Sequence, residues 1–296
     1  MKKLIILIPV YNDWKSLNLL IKKINFELNK ENLNSEILII NDNSSLKNNF
    51  LKKILSRIKK ITFLNLKINV GSQRAINVGL NYINKLKKNY IVTIIDSDGE
   101  DDPKEIMKMI KLAHKYKNYV ITSNRLARKE SLTIRLLYRV HLILTFIITG
   151  EWISFGNFTT FNSKNLKKII QNDDGYYAHS AAVIKNSKII RVYAKKNQRF
   201  FDKSKVNFFG LILHSLRIIS VYQKTILLRS AIAFLFIGLI YSLIQNIILF
   251  ILINIILALN IIIFIYRIFF KKKIVNKINF TVKKLIPFEN RSVKLL

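Results

Sequence analysis

Between residue 4 and about residue 124, short apolar runs alternate with stretches whose apolar residues recur at helical spacing. The runs 4–8, 36–40, 61–66, 90–95 and 119–123 predict strands, and the stretches 13–29, 46–58, 72–86 and 103–117 predict helices. Such alternation predicts an α/β fold, a mostly parallel sheet with helices on both faces. The run 90–95 is apolar on both parities, as a strand covered on both faces requires. Met1, Lys2 and Lys3 ahead of the first run mimic a secretory leader. That run is too short, however, is broken at Pro9 and lacks a small-residue cleavage site, so it reads as the first strand.

A second pattern begins after residue 206. Segment 207–224 mixes Phe208, Leu211, Ile212, Leu216 and Ile219 with Arg217 and Lys224, the signature of an amphipathic helix in a membrane interface. No charged residue occurs from Ser230 to Tyr266. A single helix of that length would reach about 55 Å against a hydrocarbon core of about 30 Å, so two spans are predicted. Their turn falls near Gln245-Asn246, or at Asn254 with uneven spans; a helical hairpin buried in a soluble core is the other reading. Arg217, Lys224 and Arg229 precede the run and Arg267, Lys271, Lys272 and Lys273 follow it, which puts both ends on the cytoplasmic side. The expected organisation is a cytoplasmic domain over 1–206, an interfacial helix over 207–229, two transmembrane helices over 230–269 and a basic tail over 270–296 lying along the anionic leaflet.

Composition adds a strong bias. Lys and Arg number 50 against 17 acidic residues, a formal net charge of +33, while half the residues are hydrophobic. A basic surface suits nucleic acid, anionic lipid or a phosphorylated substrate. Nucleic acid is the weakest of these, because the basic residues are dispersed and a membrane hairpin has no role in it. The absence of cysteine excludes disulfides, thiol catalysis and Cys-based zinc sites. His114, His141, His179 and His214 are scattered without ligand spacing.

The strand ends carry the candidate chemistry, since ligands of open α/β sheets bind at the carboxyl ends of strands. The fourth run ends in Asp96-Ser97-Asp98-Gly99-Glu100-Asp101-Asp102-Pro103, with Asp102 an N-cap and Pro103 the first helical residue. Carboxylates this dense repel one another unless a cation is present. A hard ion such as Mg²⁺ takes one or two carboxylates and completes its shell with water and substrate phosphates. A metal-diphosphate site is one reading, a solvated acidic loop capping a helix the other. After the first strand, Tyr11 can stack on a flat base while Asp13 approaches its edge. After the second come Asn41, Asp42, Asn43 and Ser44, and after the third Asn69, Gly71, Ser72, Gln73 and Arg74. There Gly71 permits close backbone approach, Ser72 can cap the helix, and the helix end suits a phosphate. Arg125 and Arg128 after the fifth strand can make bidentate phosphate contacts.

This succession, Pro9-x-Tyr11-Asn12-Asp13, Asn41-Asp42-Asn43-Ser44, Asn69-x-Gly71-x-Gln73-x-Ala75 and Asp96-x-Asp98-x-Glu100-Asp101, resembles glycosyltransferase family 2. The likeness is greatest to its polyprenyl-phosphate branch, which includes dolichyl-phosphate mannose synthase and undecaprenyl-phosphate sugar transferases. It covers roughly residues 4–230 and implies a GT-A, Rossmann-like domain. By this resemblance Pro9, Tyr11, Asp13, Asp42, Asn69, Gln73 and Asp96 would bind a nucleotide-sugar donor. Asp96, Asp98 and Glu100 would hold Mg²⁺ or Mn²⁺, although Glu100 stands where the family more often has Gln. Asp96, Asp98 and Arg125 would be catalytic, and Arg125, Arg128, Arg199, Lys203 and Lys205 would receive the phosphate of the acceptor.

Three further departures stand out, two of them in one segment. In Gly156-Asn157-Phe158-Thr159 the family's Asp is Asn157 and its Arg is Thr159, and Asp202 replaces a glycine in the loop Arg199–Lys205. The expected reaction is inverting transfer of a sugar to polyprenyl phosphate on the cytoplasmic face of the cell's inner membrane, by an integral membrane enzyme. An anchored transferase acting on another lipid or a polysaccharide, and a non-catalytic anion-binding module, are the alternatives. Membrane lipids are partners in each, and association of copies through the hairpin is compatible with the sequence, which specifies no number.

Overall fold

The computed structural model describes residues 3–46, 55–87, 89–125, 132–201, 208–275 and 280–285. The chain runs through β1 (Lys3–Val10), α1 (Trp14–Lys30), β2 (Ser35–Asn41), β3 (Ile58–Leu66), α2 (Ser72–Lys85), β4 (Tyr90–Ile94), α3 (Lys104–Lys115) and β5 (Tyr119–Arg125). There follow α4 (Leu132–Thr149), β6 (Phe155–Asn162), α5 (Ser163–Ile170), α6 (Asp174–Tyr177), α7 (His179–Asn186) and β7 (Lys188–Ala194). The remainder is α8 (Phe208–Val221), α9 (Gln223–Ile244), α10 (Ile247–Val275) and β8 (Phe280–Leu285). Contacts divide these elements into two units: α4 with α8 to α10 form one, and all the others form the second.

The second unit is built on a sheet ordered β7-β5-β6-β4-β1-β2-β3-β8. Strand β1 pairs in parallel with β2 and β4, β2 with β3, and β5 with β7. Strand β6 is antiparallel to both β4 and β5, and β8 is antiparallel to β3. Alternation along β1 decides the layers. Leu4, Ile6 and Ile8 face a core completed by Leu17, Leu20 and Ile24 of α1 and Ile106, Met109 and Ile110 of α3. Ile5 and Leu7 face the other core, with Ala75, Ile76 and Leu80 of α2, Leu166 of α5 and Val183 of α7. Period two therefore puts helices on both faces, as the apolar runs predict.

Several expectations are corrected. Strand β6, for which the sequence pattern gave no expectation, intervenes between β4 and β5; Phe158 enters one core and Phe161 the other. Strand β8 lies in the stretch expected to be a surface-lying tail. The stretch 46–58 expected to be helical has residues 47–54 outside the described residues, and Ile58 already belongs to β3. Gly71, with φ +84, takes the N-cap position of α2, and Ser72 is the first helical residue. Asp102 does cap: its Oδ1 accepts the Lys104 N–H at 3.0 Å, while Pro103 has helical dihedrals just ahead of α3.

In the helical unit, α9 and the stretch Ile247–Phe269 of α10 are long and apolar enough to cross a membrane, and only Ile226 and Ile263 among their side chains are buried. They meet at Gln245, left-handed with φ 52, and Asn246, whose Oδ1 accepts the Ile248 N–H at 2.8 Å. Helix α4 leaves Leu136, Val140, Ile143, Leu144 and Ile147 exposed. Arg229 donates to the Ile147 carbonyl at 3.1 Å and Arg267 to the Ser220 carbonyl at 2.6 Å, capping the carboxyl ends of α4 and α8.

Because Phe161 is fully buried at the centre of the sheet, Phe161→Ala lowers unfolding stability by about 3–5 kcal/mol. The same change at exposed Phe26 stays within about 0.5 kcal/mol. Denaturant titration of the detergent-solubilised protein compares the two.

Candidate active site

Parallel pairing in the order β4-β1-β2-β3 brings the carboxyl ends of four strands side by side, and the polar turns after them form one rim. At its centre the turns after β1 and β2 are laced together. Asn12, left-handed with φ 55, donates its backbone N–H to Ser44 Oγ and its Nδ2–H to Ser45 Oγ, and its Oδ1 accepts the Leu46 N–H at 2.9 Å. Trp14 donates Nε1–H to the Leu46 carbonyl. Against this fixed backbone Tyr11 stands 47% exposed, its ring free to stack.

Asp42 anchors the next turn. It is 3% exposed, and its Oδ1 and Oδ2 accept the N–H groups of Val70 and Gly71 at 2.7 and 2.8 Å. Asn69 adds a bond from Nδ2 to the Asp42 carbonyl. Burial pushes the Asp42 carboxyl above its usual range, against the opposing pull of those two N–H groups and the Arg74 charge. Asp42 is thus the clamp that shapes the glycine turn.

The acidic turn is covered by a segment that sequence reasoning singled out only at Arg199. Asn197 and Phe200 donate backbone N–H groups to the carbonyls of Glu100 and Asp98. Lys196 pairs with Glu100 at 3.0 Å. Arg199 reaches Asp98 through Nη1 and Asp13 through Nη2, each at 3.5 Å. The Phe200 ring lies over Gly99, whose φ of +82 and missing Cβ both matter, since a Cβ there would come within 2.3 Å of the ring. Asp98 Oδ1 accepts the Glu100 N–H, which holds the turn tight.

Asp96 is held from the other side. Asn157 of β6 donates from Nδ2 to both its oxygens, at 3.0 and 3.2 Å. Asn157 Oδ1 accepts from Gln73 Nε2 at 2.9 Å, and Gln73 Oε1 accepts the His179 backbone N–H at 2.7 Å. His179 Nε2 lies 2.9 Å from Thr159 Oγ1, which also reaches the Asn157 carbonyl. Burial holds the fully enclosed His179 ring far below its ordinary value of 6.5, at about 4, so it is neutral.

Of the residues the sequence nominated, the structure brings Asp13, Asp98 and Arg199 together, and joins Asp42 to Asn69. Two nominations take interior positions: Gln73 is buried with both ends of its amide engaged inside the protein, and Pro9 is buried within β1. Among the described residues no group of three His, Asp or Glu side chains is arranged to hold a metal. Glu100, the third expected ligand, pairs with Lys196 at 3.0 Å. Asp96 and Asp98 still fit a hard cation that takes two carboxylates and substrate phosphates. The Asp98–Arg199 approach of 3.5 Å is long beside the roughly 2.8 Å of a charge-assisted bond. Arg125 ends β5 with only its backbone described; Arg128, Lys203 and Lys205 lie outside the described residues. Asn157 drew notice only as a departure from the family pattern, and His179 and Lys196 gave no signal that sequence reasoning used, since each acts through a partner distant in the chain.

Residues 5–187 match the family model described as Glycosyl transferase family 2. The fold is similar to that of mannosyl-3-phosphoglycerate synthase from Rubrobacter xylanophilus, at 10% identity and a TM-score of 0.53 over 78% of this chain and 75% of that one. It is also similar to glucosyl-3-phosphoglycerate synthase from Mycobacterium tuberculosis in complex with Mn²⁺, UDP-glucose and phosphoglyceric acid, at 13% identity and a TM-score of 0.52 over 75% and 79%. S. aureus TarS 1–349 aligns at 15% identity and a TM-score of 0.44 with 75% of this chain, and the alignment spans 65% of that chain, under two thirds. No curated protein sequence matches.

The neutral state of His179 fixes a pH dependence. Unfolding releases the ring to bind a proton that the folded chain refuses between pH 6.5 and about 4. Its contribution is therefore complete above pH 6.5 and is lost as pH falls to about 4, by up to about 3 kcal/mol. Stability measured across that window is expected to be flatter in His179→Gln than in the unaltered protein.

Proposed function

The chain belongs to glycosyl transferase family 2, and from that membership we propose that it transfers a sugar from a nucleotide-sugar donor to a polyprenyl phosphate of the undecaprenyl type. The observation that carries the acceptor is the joining, in one chain, of the carboxylate rim to two helices able to cross a membrane. A lipid-borne phosphate is the acceptor that such an anchor keeps at high local concentration. In this reading α8 lies in the interface, α9 and α10 span the cell's inner membrane, and the sheet unit is cytoplasmic.

The donor end of the rim is Tyr11, which stacks on the base, and Asp13, at the base's edge, with Asn69 in the turn that Asp42 clamps. Gln73 and Pro9 support these from within. Asp96 and Asp98 would hold Mg²⁺ or Mn²⁺, and the ion would offset the charge that develops on the departing nucleoside diphosphate. The Mn²⁺ and UDP-glucose in the complex of the M. tuberculosis synthase, which shares this fold, support that choice. Arg199, whose buried Nε has no partner among the described residues, is the described cation placed to meet the acceptor phosphate. Arg125, Arg128, Lys203 and Lys205 complete that contact.

The chemistry needs few protein groups. A phosphate oxygen is anionic near neutral pH and attacks the anomeric carbon without a base, while the glycosidic oxygen leaves with the nucleoside diphosphate. Displacement from the opposite face inverts the centre. His179, enclosed and neutral, takes no part in proton transfer. Positioning of donor and acceptor in line supplies much of the acceleration.

Protein purified in detergent, given Mg²⁺ or Mn²⁺, undecaprenyl phosphate and a panel of nucleotide sugars, is expected to yield a lipid-linked sugar detectable by mass. Asp98→Ala is expected to lower kcat by about 10²–10³-fold. Full turnover by that variant would remove Asp98 from the reaction, and exclusive glycosylation of a hydroxyl acceptor would replace the polyprenyl phosphate.

A further inference from the structure

The hydrogen bonds linking His179, Gln73, Asn157 and Asp96 have a direction, and one end of the chain sets it. A backbone N–H can only donate, so the Gln73 atom 2.7 Å from the His179 nitrogen has to be the amide oxygen. The other end of that amide is then NH₂, a donor, and the Asn157 atom facing it at 2.9 Å has to be oxygen. Asn157 is left with its own NH₂ turned to Asp96, where it meets both carboxylate oxygens. No flip of either amide survives this sequence, because each would set NH₂ against N–H or oxygen against oxygen. His179 is itself fixed as the first residue of α7, where its N–H lies among those a helix leaves without an intrahelical partner.

We infer that Gln73 is a positioning residue for Asp96: it carries the polarity of the α7 amino terminus through Asn157, so that Asp96 always meets a donor and presents its oxygens in one orientation. This rests on the proposed donor site only in the use made of Asp96; the polarity itself belongs to the fold. It assigns a task to a side chain whose amide is engaged at both ends inside the protein, and to His179, which enters through its main chain.

Reversing polarity at position 73 without changing its shape is the test. In Gln73→Glu the carboxylate still accepts the His179 N–H, at a helix end that favours negative charge. It cannot donate to Asn157, so the Asn157 amide inverts and sets its oxygen against Asp96. The ligand-free melting temperature is expected to fall by about 3–6 °C. Adding Asp96→Asn, which supplies a donor to the inverted Asn157, is expected to restore most of the loss. Adding Asp98→Asn, which removes the same charge nearby, is expected to restore little. Equal rescue by both would reduce the effect to charge repulsion and overturn the inference, as would additive losses.

Should Gln73→Glu fail to fold, recovery of folded protein in the Asp96→Asn background but not in the Asp98→Asn background reads the same coupling; recovery in neither overturns it. Calorimetry with Mn²⁺ and UDP or GDP separates the two readings. Gln73→Glu is expected to weaken metal-dependent nucleotide binding about tenfold or more, although an added negative charge alone would strengthen it. Unchanged or tighter binding overturns the link to Asp96 orientation. An unaltered protein that binds neither nucleotide removes the donor site, while the melting-temperature cycle still decides the polarity.

Discussion

A carboxylate removed from water is tolerable only where donors are already fixed around it, and this requirement organises the sheet's carboxyl edge. Each aspartate there has its own supply. Asp42 receives two backbone N–H groups, Asp96 receives Asn157, and Asp98 receives the Glu100 N–H with Arg199 beyond it. The supplies of Asp42 and Asp96 come from neighbouring strands, since Val70 and Gly71 follow β3 and Asn157 lies on β6, whereas the Glu100 N–H that Asp98 receives belongs to the same turn. The order of the sheet and the chemistry of its rim are thus one constraint seen twice.

That dependence explains what could be read in the sequence. The short apolar runs of β1 and β4 and the helical spacing in α1, α2 and α3 are local, so those elements and their layers were legible. So was the pair Gln245-Asn246, where amide side chains interrupt an apolar run and Asn246 caps the helix that follows. Strand β6 escaped because Phe155-Gly156-Asn157-Phe158-Thr159-Thr160 interleaves apolar and polar residues on both faces. Its polar members are satisfied inside the sheet, as Thr160 is by Thr93 at 2.9 Å. Strand β8 escaped because its partner β3 is far away in the chain and its lysines read as surface charge. In the rim, turns adjacent in space announced themselves through Asp, Asn and Gly. Which carboxylate is bonded to what was not legible, since the answers, Asn157 to Asp96 and Lys196 to Glu100, are long-range pairings.

The two departures from the family pattern at positions 157 and 159 acquire a physical account. An aspartate at position 157 would place a second acceptor against Asp96 with no proton between them, and Asn157 removes that conflict. At position 159 a guanidinium would need the space that the His179 ring occupies, 2.9 Å from the threonine hydroxyl, in a region with no exposure. Here Thr159 Oγ1 and the neutral His179 ring share that space, and Arg199 is a guanidinium beside the acidic turn.

In the membrane placement proposed for the helical unit, the same rule acts with a different solvent. Carbonyls at the end of a helix have no intrahelical donor, and in hydrocarbon no water replaces it. Arg229, near the start of α9, and Arg267, late in α10, supply donors to the ends of α4 and α8. A guanidinium is stable at the border of the hydrocarbon and costly within it, so placing both arginines at the ends of the uncharged run fixes where the capped helices can lie. Gly150 makes room for the first of these caps, since a Cβ there would come within 2.3 Å of the Arg229 guanidinium. In that placement the two arginines at the ends of the hairpin also hold α4 and α8 against its base.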